Sequence, residues 1–285
     1  MFFGDEGLKG VQRMKDSLVE YQRYLENMEL SVSTVYIYMR YARQFVEFAG
    51  EREITKALVR EYRNFLEEKQ YKPSTMNLSV IAVNCFLKYC GKSECVLKTV
   101  RIQRRQSLNN VLTKSDYHRL LQYAREIGDE KYFLLMRTLA TTGIRVSELS
   151  GITVETLAYG YTQVMSKGKV REIYIPDNLC AGLRNYCKKR SICQGAVFQG
   201  NRGTPISRGA VWKMLKHMAD MAGVQRDKVY PHSFRHFFAQ SYMNYYSNIF
   251  ELADILGHSN IETTRIYSVS TVEQKRKRMD ALDVD

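Results

Sequence analysis

Residues 12–91 keep a helical rhythm of apolar positions from end to end, cut by turn signals into four short pieces, which restricts this half of the chain to a small helical bundle. Leu18, Tyr21, Leu25 and Met28 mark the first piece. Ser33 is placed to cap a second, carrying Tyr36, Met39, Arg43 and Phe45 up to Gly50. Thr55 opens a third with Leu58, Tyr62, Phe65 and Leu66 on one face. Pro73, Ser74 and Thr75 open a fourth, which runs through Leu78, Ile81, Val83, Phe86 and Leu87 to a stop at Gly91. The Lys, Arg and Tyr residues on the outer faces suit a phosphate-facing surface. For any single one, solvated helix charge is the more common explanation.

The rhythm fails between Lys92 and Asn110, so residues 93–110 read as an interdomain linker. Lys98, Arg101, Arg104 and Arg105 make it basic enough to lie along a nucleic-acid backbone. A mixed domain is expected over 111–285. Thr113 can cap a helix through Leu120 and Tyr123, and an apolar helix from Tyr132 to Thr142 ends near Gly143. Strands 161–165 and 170–175 flank Ser166-Lys167-Gly168-Lys169, a hairpin turn. Helices are expected over 178–190, 207–222, 232–246, 249–256 and 272–282. The fold class is therefore mainly α with a small β-sheet.

Lys and Arg total 43 against 30 Asp and Glu, a net charge of +13. That excess favours a polyanionic partner, nucleic acid first and an anionic membrane surface second. No apolar run approaches the roughly 18 residues of a membrane span, and Met1 to Gly10 lacks the apolar core of a secretory signal. The six cysteines (Cys85, Cys90, Cys95, Cys180, Cys187, Cys193) include no Cys-x-x-Cys pair and no histidine at ligand spacing. Free thiols in a reducing cytoplasm are expected, with no metal and no cofactor.

Three stretches carry chemistry. Arg145 follows the Gly143 break, where a new helix is expected, and Glu148 three residues on shares its face. An arginine there can fork two hydrogen bonds onto a phosphate. An Arg–Glu pair at this spacing is more often surface decoration. Next, His232, Arg235 and His236 fall on one helix face. Holding two imidazoles and a guanidinium together is costly without an anion to neutralise them, and two of the chain's five histidines fall here. A packed, buried His236 serving as support is the simpler alternative for that ring. Last, Gly257 ends a helix with His258 at its tip, and Tyr267 comes nine residues later, beyond a short segment that Thr263 could cap. With 20 tyrosines in the chain, Tyr267 alone signifies little.

Taken in order, Thr-Gly-Ile-Arg, Lys-Gly-Lys in a hairpin, His-Ser-Phe-Arg-His and Leu-Gly-His followed by Tyr resemble the motifs of tyrosine site-specific recombinases of the phage-integrase and Xer kind. The resemblance covers about Val111 to Ser270. The helical first half is similar to the family's core-binding domain (a SAM-like bundle) over 12–92, and the family's two domains form a C-shaped DNA clamp. Carried over, Arg145 is the first phosphate-binding arginine and Lys167 the hairpin lysine that protonates the leaving 5′-oxygen, with Lys169 its rival in the same turn and a further DNA contact. His232 and Arg235 match the helix-motif histidine and second arginine, His258 the position that holds His or Trp, and Tyr267 the nucleophile. Glu148 and His236 are supporting residues. Phe234 departs from the frequent Leu without loss of apolar character.

The chemistry fits. Phosphodiester transfer builds negative charge on the non-bridging oxygens, which Arg145, Arg235 and His258 can meet. A phenol with an ordinary pKa of about 10 needs a base, and His232 is a candidate. Lys167 can supply the leaving-group proton. The resemblance further implies double-stranded DNA with short inverted-repeat core sites and a homotetramer, or paired recombinases, on two duplexes. It places the C-terminal helix on a neighbouring subunit and the protein in the cytoplasm on the nucleoid. No separate arm-binding domain is expected, which points to a simple Xer-like or invertase-like system. Two rivals are a non-catalytic DNA-binding regulator on the same scaffold and a type IB topoisomerase-like relaxing enzyme.

Overall fold

Side-chain caps set most helix starts. Ser31 accepts from the Thr34 amide at 3.2 Å and so opens α2 (Val32–Ala49), two residues ahead of the expected Ser33, whose hydroxyl instead pairs with that of Ser31. Thr55 caps α3 (Lys56–Glu68), and Pro73 leads α4 (Pro73–Tyr89). α1 covers residues 17–27. The computed structural model describes residues 17–102, 111–166, 169–258, 260–267 and 280. The chain divides into two units, Met1–Arg105 and Gln106–Asp285.

In the first unit Tyr21 and Leu25 of α1, Phe45 of α2, Tyr62 of α3 and Phe86 of α4 are fully buried together. Their rings meet edge-on, Tyr21 with Phe86 at 5.1 Å and Phe45 with Tyr62 at 5.3 Å, the arrangement that ring quadrupoles favour. The stretch after α4 is not free chain. Asn84 exchanges two hydrogen bonds with the Leu97 backbone (2.8 and 3.0 Å), and Asn77 does the same with Val100 (both 2.8 Å). Seven residues of helix and three of extended chain both span roughly 10 Å, so one asparagine every second turn fits every third extended residue. Cys95 and Leu97 are thereby buried, whereas Lys98 and Arg101 remain exposed. Arg104 and Arg105 lie outside the described residues.

The second unit is built on α6 (Glu130–Thr142), which packs against α5 (Lys114–Glu126), α8 (Asp177–Lys189) and α10 (Pro231–Tyr246). Thr113 and Asp116 close a capping box on α5, and Asp129 caps α6. Leu135, Met136 and Leu139 of α6, Leu183 of α8, Leu215 of α9 (Arg208–Met221) and Phe234 of α10 form the centre of the core. A short α7 (Thr156–Tyr159), absent from the expected elements, leads into the antiparallel strands β1 (Tyr161–Ser166) and β2 (Lys169–Tyr174). Their register runs from Tyr161 opposite Tyr174 to Ser166 opposite Lys169. α11 (Ile249–Leu256) and α12 (Glu262–Arg265) follow among the described residues. Asn260 accepts from the Glu262 amide at 2.9 Å, so α12 starts ahead of the expected cap Thr263. No helix begins at Arg145: residues 146–148 form a turn, tightened by Glu148 N–H donating to the Arg145 carbonyl at 2.8 Å. Lys167, Gly168 and the expected helix over 272–282 lie outside the described residues, apart from Asp280. Among the described residues no helix is long and apolar enough to cross a membrane.

Candidate active site

The C-terminus of α11 organises the site. A helix end leaves carbonyls without intrahelical partners and carries partial negative charge. Three successive carbonyls here each receive a different arginine. Ile255 accepts from Arg171 on β2, Leu256 from Arg235 on α10, and Gly257 from Arg145 at 3.1 Å. Gly257 takes the left-handed conformation at φ 60° that ends the helix. A β-carbon there would come 2.4 Å from Cδ of Arg171, so the glycine also makes room for that stem. Gly143, at φ 59°, ends α6 in the same way, and its carbonyl accepts from Arg235 at 2.6 Å.

Arg235 is 2% exposed. Burial, then Arg145 and Arg171, pull its pKa down to about 9, still charged at neutral pH. Two of its five N–H groups serve the Gly143 and Leu256 carbonyls, which leaves donors for an anion. Arg145 is more open. Glu148, expected as a supporting residue although its spacing alone is more typical of surface charge, is buried at the centre of a bridge. Its Oε1 accepts from Arg145 at 2.8 Å and its Oε2 from Arg171 at 2.5 Å, while the Arg145 backbone N–H reaches Oε2 at 3.0 Å. Burial alone would push this carboxyl up. The Arg145 side-chain and backbone bonds and the Arg171 charge outweigh it and hold the group below the usual range.

All three motif histidines join this cluster. His232 and His236 stack edge to face with ring centroids 4.4 Å apart. His258 Nδ1 lies 2.8 Å from the buried Thr264 hydroxyl, which fixes the ring plane. Burial is the main force that keeps all three rings neutral, and the nearby guanidinium groups add to it; His236 and His258 fall to about 4. The Tyr267 hydroxyl is hydrogen-bonded to Nδ1 of His236, not to His232. Burial raises this phenol to about 12, against the opposing charge of Arg235. Its ring packs on Ala239, Leu252 and Leu256. Arg145 and His258 also line a cleft of about 940 Å³ between β2 and α11.

Among the described sequence candidates, Arg145, Glu148, His232, Arg235, His236, His258 and Tyr267 therefore come together. Lys169 is described only through its pairing with Ser166, and Lys98 and Arg101 belong to the other unit. Arg171 escaped sequence reasoning. Its signal was present: strand alternation puts it on the inner face with Ile173, opposite Val164, where a charge is costly unless paired. Among the described residues, no group of three His, Cys, Asp or Glu could hold a metal ion. What the cluster offers is two forked cations, neutral imidazoles and one phenol, suited to a phosphate and an oxygen nucleophile.

The fold is that of the integrases and Xer recombinases. It aligns with the Tn1549 transposon integrase in complex with transposon right end DNA (TM-score 0.75, 18% identity, 94% of this chain and 99% of that one). It also aligns with the crystal structure of XerA recombinase (TM-score 0.53, 25% identity, 95% and 99%). The chain belongs to the phage integrase family, whose model matches residues 110–274. It is similar to tyrosine recombinase XerD of Vibrio cholerae, with 33% identity over 152 residues, half of each chain. It therefore spans about half the length of the XerD relatives it matches. Tyrosine recombinase XerA of Thermococcus onnurineus is 28% identical over 95% of this chain and 96% of its own.

Proposed function

We propose that this protein is a site-specific DNA recombinase that cuts and rejoins strands through a 3′-phosphotyrosine at Tyr267. The observation that carries the reading is the Tyr267 hydroxyl resting on an imidazole inside a cluster that holds Arg145, Arg235, His232 and His258. Family membership and the similarity to Xer recombinases support it. In this reading Arg145 and Arg235 grip the non-bridging oxygens of the scissile phosphate, with His232 and His258 as further donors. The Tyr267 oxygen attacks phosphorus and its proton passes to His236, the ring it touches. The bond to the 5′-oxygen breaks as Lys167 protonates it, and a 5′-hydroxyl later reverses the step. One phosphodiester replaces another, so no nucleotide cofactor is consumed.

The first unit serves as the core-binding domain, and Lys98, Arg101, Arg104, Arg105 and Lys169 contact the DNA backbone. The substrate is double-stranded DNA with short inverted-repeat core sites, paired by a tetramer, and the cellular site is the cytoplasm, on the nucleoid. Trapping on a nicked suicide substrate tests the assignment. Tyr267→Phe is expected to bind DNA normally and form no covalent adduct, and a wild-type-like adduct from it would end the reading. A two-site assay should give recombinant products. Supercoil relaxation alone would move the protein to the topoisomerase class.

A further inference from the structure

Arg171 is the buried cation of the cluster that sequence motifs do not account for. Its side chain is 8% exposed, and both terminal nitrogens are used, one on Glu148 and one on the Ile255 carbonyl. Its Nε is buried and has no partner among the described residues, an unfavourable arrangement that the two strong contacts outweigh. Through Glu148 it touches the carboxylate that orients Arg145. Through Ile255 it anchors the helix end whose next two carbonyls hold Arg235 and Arg145, and from which His258 projects. It also ties the strand after the lysine hairpin to both.

We infer that Arg171 is a positioning residue for strand cleavage: it locks Glu148 against Arg145 and fixes the end of α11, so that the phosphate ligands are set before DNA arrives. It need not touch the substrate. Arginine is required because one planar fork must reach a carboxylate and a carbonyl at once, and a lysine's single nitrogen can serve only one well. The inference rests on the reading of Arg145 as a phosphate ligand.

The test uses the full chain and single-turnover covalent trapping at saturating nicked DNA, with Arg145→Ala as reference. Misplacement of a phosphate ligand by about 1 Å costs up to about 100-fold, so Arg171→Lys should cleave about 10- to 100-fold more slowly, with DNA affinity within about threefold of wild type. Glu148→Gln should show a comparable loss, and the double variant should be no worse than the poorer single one, because both act on one contact. A methylphosphonate at the scissile position removes the charge that the arginines meet. There the deficits of Arg171→Lys and Arg145→Ala should shrink together. Multiplicative losses in the double variant, or an Arg171→Lys deficit of equal size on both substrates, would overturn the inference. Should Arg171→Lys not fold, Gly257→Ala, which presses on the same stem, is held to the same outcomes. If Arg145→Ala itself cleaves like wild type, it is the phosphate-clamp reading that fails.

Discussion

The contact between Tyr267 and His236 invites a substitution that separates holding from proton transfer. In His236→Asn the amide puts Oδ1 about where Nδ1 sits, so it can still accept the phenol's hydrogen bond but cannot take its proton. In the free protein burial holds the phenol up at about 12 and the imidazole down at about 4, so proton transfer between them is strongly unfavourable at rest. The resting nucleophile is therefore held protonated. Part of the imidazole's depression comes from His232 and Arg235. A bound phosphate offsets that positive field and narrows the gap in the complex. A general base of this kind contributes about 10²- to 10⁴-fold. A lost orienting hydrogen bond costs only about 1 kcal/mol, or roughly fivefold. His236→Asn should thus lower the single-turnover cleavage rate by at least about 100-fold at neutral pH, with binding intact. Its rate should climb about tenfold per pH unit as hydroxide takes over the proton, while the wild-type rate levels off once the imidazole is neutral. A variant within about fivefold of wild type, with the same pH profile, refutes the reasoning and leaves His236 as a support for the phenol.

Three further outcomes follow from the same geometry. His236 and His258 are held down at about 4 against the ordinary value of 6.5, so the unfolded chain binds more protons between pH 6.5 and about 4. Stability should be complete above that window and fall as pH drops through it, by no more than about 1–2 kcal/mol per ring after solvent screening; denaturant titrations at pH 7.5, 6 and 5 check this, and a flat series rejects it. Phe234→Ala should cost about 3–5 kcal/mol and lower Tm by roughly 10 °C, because the ring is fully buried against Tyr117; a calorimetric shift under about 3 °C would contradict that packing. DNA affinity should fall with salt on a logarithmic slope of about −5 or steeper if six or more phosphates are contacted; fluorescence anisotropy across a salt series measures it, and a shallow slope argues against a phosphate-dominated interface.

Local physics decided much of this protein within its sequence. Thr55, Pro73, Thr113 and the glycines at 143 and 257 act on their own neighbours, so helix limits were legible from them. Spacings of three and four fixed His232, Arg235 and His236 on one face for the same reason. Tertiary structure alone decided which partners those faces meet. His232 and His236 share a stripe of α10, and only the path of the chain after α11 delivers the Tyr267 hydroxyl to the second of them. The spacing of Arg145 and Glu148 carries no information about their burial; the cover comes from β2, which brings Arg171 across 23 residues of sequence. The three carbonyls at the end of α11 draw their arginines from separate elements, and such convergence is a property of packing, since no local periodicity encodes contacts between segments far apart along the chain.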